Sequence, residues 1–306
     1  MKQPICFAQP DRVNRVMRNT KSLNWWLDYL KKNKPEHHIT LGLEKVQAVL
    51  HRVLDPKKKI APHIITIAGT NGKGSTIAYL ETIFKKANIT HGAATSPHLH
   101  RYNERFRING NELPDAQIAH ALAEIEKKRG PITLSFFEIT ALASLYLFSK
   151  ESLEVILLEI GMGGRLDAMN CIDPDISIIS SVDFDHQEYL GTTIDAIAQE
   201  KAGIIRHNKP IIYGDTPIPT SIRDIANTKH ATPFFLGEQI NIREFETSWD
   251  FYGIDNRQHP YSLKNIQKPH LPINSAVCAT QAALLISNPQ ITPEILRDSI
   301  AITQLA

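Results

Sequence analysis

Cysteine is scarce in this 306-residue chain: three residues, Cys6, Cys171 and Cys278, lie far apart and without metal-ligand spacing. An odd, scattered set supplies neither a disulfide framework nor a thiolate zinc site, and it predicts free thiols in a reducing compartment. No apolar run approaches the roughly 20 residues that span a bilayer. The polar, basic start lacks the apolar core of a signal peptide, so the reading is a cytoplasmic protein with no membrane partner. An excess of either charge is missing too: 34 Lys and Arg face 32 Asp and Glu, for a formal charge of +2. That balance gives no broad basic field for nucleic acid, while leaving room for a local anion site. The sequence also lacks internal repeats and low-complexity tracts. What remains is a globular composition, 42% hydrophobic and 22% charged, able to bury a sizeable core.

Residues 1–21 carry no apolar period and are expected to be poorly ordered. From Ser22, SLNWWLDYLKK sets Leu23, Trp26, Leu27 and Leu30 at helical spacing, and LGLEKVQAVLHRVL gives a second amphipathic helix. A rhythm of short β-branched runs and helical patterns follows. The strand candidates are 63–69, 155–161, 176–182, 210–214 and 233–237. The helix candidates are 114–129, 137–149, 193–205 and 217–228, with a last pair at 274–287 and 292–302. Nearly continuous apolar strands alternating with helices predict an α/β fold, a doubly wound and mostly parallel sheet covered on both faces. Residues 241–270 are polar and aromatic and suggest a small strand-rich appendage. The domain reading is therefore 22–290 as one nucleotide-binding unit, with 291–306 as the start of a linker.

IITIAGTNGKGST (64–76) is the strongest local signal: a β-branched strand, then glycines, then an apolar helix pattern. Backbone N–H groups in such a loop, with the helix N-terminus, form a cradle for phosphate oxygens. Gly69, Thr70, Asn71, Gly72, Lys73, Gly74 and Ser75 are the nucleotide-binding candidates, with Lys73 as a point charge for the terminal phosphates. The pattern departs from G-x-x-x-x-G-K-[ST], because Ile67 stands where the first glycine belongs and Gly74 follows the lysine.

GTNGKGS is the form of phosphate loop seen in the Mur ligase superfamily. Four further stretches resemble its folylpolyglutamate synthase branch: TSPHLHRYNERFRING (95–110), SFFEIT (135–140), LEIGMGGRLDAMN (158–170) and DHQEYLGTTIDAIAQEKAGI (185–204). The resemblance covers about residues 22–290, and five motifs in order make it specific. It implies ATP and Mg2+ as cofactors, small-molecule substrates (dihydropteroate, folates and L-glutamate) and a monomer. It also implies the reaction: ATP phosphorylates a substrate carboxylate, and the amine of glutamate displaces phosphate from the acyl phosphate. A carboxylate approaching a triphosphate is repelled, so cations must neutralise the transferring group.

By the same resemblance, Ser96 and Glu159 hold one magnesium, His186 with Glu159 helps hold a second, and Lys201 is the lysine this family carbamylates into a further ligand. Lys73, Glu159, His186 and Lys201 are thus the catalytic set. Ser135, Asp167 and Ala168 face the pteridine substrate, and Asn274 lies beside the adenine. Taken alone, each has a plainer reading. Ser96 reads as a turn residue or helix cap, His186 as a structural histidine and Lys201 as a helix-surface lysine. Asp167 reads as a loop aspartate capping its own backbone, and Asn274 as a helix N-cap. The family places its active site between this domain and a C-terminal one, and the sequence ends about where the linker to that domain would begin. The expectation is one wall of a two-walled site, which binds nucleotide weakly and turns over slowly. The rival functions are a cell-wall Mur ligase and a non-catalytic nucleotide-binding module.

Overall fold

The computed structural model describes residues 21–33, 42–55 and 57–305. Residues 1–20, most of the segment expected to lack order, lie outside the described residues. Two helices, α1 (Leu23–Asn33) and α2 (Glu44–Val53), precede β1 (His63–Ala68), α3 (Lys73–Lys86), β2 (His91–Ala94), β3 (Phe106–Ile108) and β4 (Asn111–Glu112). Then come α4 (Asp115–Arg129), α5 (Phe136–Phe148), β5 (Val155–Glu159), β6 (Ile176–Ile179), α6 (Gln187–Leu190), α7 (Ile194–Ala202), β7 (Pro210–Tyr213), α8 (Thr220–Thr228) and β8 (Thr232–Phe235). The chain continues through β9 (Asn241–Glu244), β10 (Ser248–Ile254), β11 (Pro260–Gln267), α9 (Ile273–Ile286) and α10 (Pro293–Ile302).

Eight strands form one sheet in the order β4-β3-β2-β5-β1-β6-β7-β8, parallel from β2 to β8, with β3 and β4 antiparallel at one edge. Period-two alternation splits each central strand between two cores. Ile64 and Ala68 of β1 and Ile156 and Leu158 of β5 face a core filled from α1, α2, α4 and α5. Ile65, Ile67, Val155 and Leu157 face the other, filled from α3, α9, α10 and the three-stranded sheet. Burial on both faces is why these strands read as unbroken apolar runs.

The strand-rich stretch expected at 241–270 is an antiparallel sheet, β11-β10-β9, whose Trp249, Phe251, Leu263 and Ile266 are buried in the second core. In the stretch read as the start of a linker, Pro293–Ile302 forms α10 and packs on the domain. Thr292 caps α10 by accepting from the Ile295 amide, and fully buried Leu296 and Ile300 join the core beside α3. Burying each such side chain contributes about 2 kcal/mol toward holding this helix on the domain. Sequence reading also passed over β2, whose HGAA has no β-branched residue, and the short β3 and β4.

The strand order reverses at β1, with β5 on one side and β6 on the other. Ligands of open α/β sheets bind beyond the carboxyl ends of the strands at such a switch point. The glycine loop, Glu159 and Ser180 are the residues that follow or end those three strands.

Candidate functional site: a phosphate loop beside a buried carboxylate

The loop leaves β1 at Gly69 and enters α3 at Lys73. Gly69 has φ of +148°, and a Cβ there would lie 2.0 Å from Ser180 Oγ, so glycine is required. Gly74 differs: it is helical, and a Cβ would meet nothing within 4 Å. The protein's own packing does not demand glycine there, and open space faces the start of α3. The fit to a polyphosphate is thus present in the backbone. The segment after β6 laces the loop in place: the Thr70 amide donates to Ser181 O (3.0 Å) and the Asn71 amide to Ser181 Oγ (3.1 Å). Thr70 Oγ1 donates to Asp183 O (3.1 Å), while the Asp183 amide donates back to it (3.0 Å). Lys73 Nζ folds over the loop onto Gly69 O (2.9 Å) and Thr70 O (3.3 Å).

Glu159 ends β5, 5% exposed, and its Oε2 accepts the Ser96 amide at 3.0 Å. Burial pushes its carboxyl above the usual range, opposed by that amide and by the charges of Lys73, Arg107 and Arg105. The hydroxyl of Ser96 is buried without a hydrogen-bond partner among the described residues. An orphaned hydroxyl beside a desolvated carboxylate is a costly arrangement, and an oxygen-seeking cation would relieve it. These two donors fit magnesium, which keeps several waters and needs only one or two protein groups.

The 95–110 stretch wraps this corner around charges that sequence reading did not single out. Glu104 accepts the amides of Leu99 (2.7 Å), His100 (2.8 Å) and Arg101 (2.6 Å), which hold its carboxyl down at about 2. Arg107 pairs with Glu81 (2.7 Å) and donates to Thr95 Oγ1 (3.1 Å). Arg105 is buried, donating from Nε to His98 Nδ1 (2.7 Å), with its guanidinium over the rings of Tyr102 and Phe136.

Asp167 is buried, and both its oxygens take backbone amides: Oδ1 from Met169 (2.8 Å) and Oδ2 from Met162 (2.9 Å). The plainer reading, an aspartate capping its own turn, therefore holds. Burial nevertheless lifts its pKa to about 7. Ala168 is buried in the short helical turn that Asp167 caps. The loop lies directly on α7, because a Cβ at Gly164 would meet Glu200 O at 2.7 Å and Lys201 O at 2.9 Å. Lys201 is 2% exposed, so the surface-lysine reading fails; burial first, then the charge of Lys73, lower its pKa to about 8. Lys73 acts electrostatically on Glu159, Asp167 and Lys201 alike.

The remaining candidates stand apart. Ser135 caps α5 in a reciprocal box, its Oγ accepting the Glu138 amide (3.2 Å) while Glu138 Oε2 accepts the Ser135 amide (2.6 Å). His186 is exposed, in a left-handed conformation (φ 45°) at the start of α6, with Nε2 3.5 Å from Asp185 Oδ1. No described contact joins it to Glu159, and no group of three His, Cys, Asp or Glu placed to hold a metal occurs among the described residues. Asn274 is not the N-cap of α9, since Pro272 occupies that position. Ser275 next to it reaches the loop, donating from Oγ to Gly72 O at 3.2 Å. Ser180, Ser181, Asp183 and Ser275 were invisible in sequence, because each acts on the loop from more than 100 positions away.

Residues 67–270 match the family model of the Mur ligase middle domain. The dihydrofolate synthase/folylpolyglutamate synthase of Escherichia coli (strain K12) is 40% identical over 291 residues, covering 94% of this chain and 66% of that protein. The structure of an Escherichia coli FolC in complex with DHPP and ADP superposes with a TM-score of 0.86 at 40% identity, covering 93% of this chain and 67% of that one. A bifunctional folylpolyglutamate synthase/dihydrofolate synthase with Mn, AMPPNP and L-glutamate bound gives a TM-score of 0.82 at 38% identity, covering 94% and 67%. This chain spans about two thirds of the length of these relatives. No helix among the described residues is long and apolar enough to cross a membrane. With its loop, its strand-end glutamate and these relatives in agreement, the chain belongs to the Mur ligase family, in its dihydrofolate synthase/folylpolyglutamate synthase branch.

Proposed function

We propose that the chain forms the nucleotide-binding part of an ATP-dependent ligase that joins L-glutamate to dihydropteroate and to folates through an acyl phosphate. The observation that carries this reading is the juxtaposition, at the switch point of the sheet, of an open amide cradle with the buried Glu159 and the orphaned Ser96 hydroxyl. Forming an acyl phosphate brings a carboxylate to a triphosphate, so the site must supply positive charge and fixed donors where negative charge gathers. Lys73 and the loop amides supply these from the protein. Magnesium, when bound through Ser96 Oγ and Glu159, adds charge neutralisation at the phosphates. His186 would serve a second ion only by turning inward from its exposed position.

Lys201 fits the carbamate role for a physical reason. Carbamylation needs a neutral amine, and a lysine with its pKa near 8 is neutral in roughly one molecule in ten at pH 7, against roughly one in 3,000 for an ordinary lysine. Asp167 supports the pterin role: with its pKa near 7 it presents a remaining lone pair or a carboxyl proton to a ring of amide-like donors and acceptors. Ser135 and Ala168 would border the same ring, and Asn274 the adenine. The chain would act as a monomer.

The test is a comparison of ligands. With MgADP present, dihydropteroate should raise the melting temperature of the chain and a muramyl nucleotide should not. Stabilisation by the muramyl nucleotide alone would move the assignment to a cell-wall ligase, and stabilisation by neither would leave a nucleotide-binding module.

A further inference from the structure

We propose that Ser180 and Ser275 are positioning residues that set the direction of the phosphate-loop amides, an inference that rests on the ATP reading above. Ser180 follows β6 and Ser275 lies in the first turn of α9, so two elements far apart in sequence converge on one loop. Both are buried, at 4% and 2% exposure. Ser180 Oγ donates to Asn71 O at 2.6 Å, and Ser275 Oγ donates to Gly72 O at 3.2 Å.

A trans peptide is planar, with its N–H pointing opposite to its C=O. Drawing Asn71 O inward therefore turns the Gly72 N–H outward, and drawing Gly72 O inward does the same for the Lys73 N–H. The Gly72 amide has no acceptor among the described hydrogen bonds, as a donor reserved for a ligand should. Gly72 itself has φ of +85°, where the peptide on either side turns easily without a restraint. An unrestrained flip would place a carbonyl oxygen where a phosphate oxygen belongs.

Other bonds share the load unequally. Ser181 Oγ lies 3.1 Å from Asn71 O but is not fully buried, and it also accepts the Asn71 amide. Ser180 also lies 3.3 Å from Ala68 O, a longer contact than its bond to Asn71. Gly72 O further accepts the Thr76 amide (2.9 Å) and Thr76 Oγ1 (2.8 Å) as the first helical bond of α3. Ser180 and Ser275 differ from Ser181 in being shielded from solvent, so water cannot replace a deleted hydroxyl without entering the core, while the equally buried Thr76 holds Gly72 O from within α3.

Calorimetric titrations of MgATP and of adenosine into the chain, Ser180→Ala, Ser275→Ala, the double variant and Ser275→Thr provide the test, with melting temperature as a folding control. The expected result is about tenfold weaker MgATP binding in each alanine variant, more in the double, and near-normal binding in Ser275→Thr. Adenosine affinity should be unchanged throughout, because the pins govern only the phosphate donors. Unchanged MgATP affinity in the double variant would overturn the proposal, as would equal loss of adenosine and MgATP, which marks a merely structural role. Failure of the parent chain to bind MgATP would instead overturn the ATP reading itself.

Discussion

Glu159, Asp167 and Lys201 all feel the charge of Lys73, yet burial moves these three in opposite directions. It raises the two acids and lowers Lys201, in each case disfavouring the charged form. For Asp167 this makes a stability prediction whose sign can be worked out. Its folded pKa of about 7 lies above the unfolded value near 3.9, so between these limits the folded state holds the extra proton. The contribution is complete below the unfolded pKa and fades as pH rises through 7. The stability of the chain relative to Asp167→Asn, from denaturant unfolding at several pH values, should therefore fall between about pH 4 and 7. A difference that does not vary with pH would show that the carboxyl is not protonated in the fold. For Lys201, labelled bicarbonate should give a carbamate carbon signal by NMR that grows as pH rises toward 8 and is missing in Lys201→Arg. No signal at any pH would remove Lys201 from the metal ligands. What was legible in sequence at this scale was placement carried by local context, such as Glu159 at a strand end after four apolar residues. Whether Lys201 faced solvent or core depended on Gly164 and Arg165 meeting α7, which no local pattern encodes.

Helices and strands were legible where burial left a period. The strands β1, β5, β6, β7 and β8 and their flanking helices fall where β-branched runs and apolar spacing place them. β2 was missed because its position beside β5 is specified by the neighbour it pairs with, Gly92 opposite Ile156, and not by its own propensity. In addition, a Cβ at Gly92 would press on Phe148 and Leu153, so the strand gives up side chain to let α5 approach. The helix α10 reads well as a helix, but its attachment is a tertiary matter. Leu296 is fully buried against the α3 side of the sheet, so Leu296→Ala should destabilise the chain by about 2–5 kcal/mol in denaturant unfolding. A loss under about 0.5 kcal/mol, the range of surface substitutions, would mean that α10 does not belong to the domain core.

The molecule as a whole is a parallel sheet with two cores, and that arrangement is what assembles the site. Three central strands end side by side, and each contributes what its neighbours cannot: β1 the amide cradle, β5 the carboxylate, and β6 the serines that brace the cradle. The alternation of strand and helix foretold the sheet, and the sequence placed the glycine turn between β1 and α3 and Glu159 at the end of β5. The bracing was not legible, because it depends on which strands become neighbours. The central claim is that this end of the sheet is a magnesium–nucleotide site. Calorimetric titration of ATP with and without magnesium, into the chain, Lys73→Ala and Glu159→Gln, tests it most directly. The account predicts saturable binding to the parent chain, roughly ten- to a hundredfold weaker binding in Lys73→Ala, and loss of the magnesium dependence in Glu159→Gln. Equal affinity in all three, with or without magnesium, would contradict it.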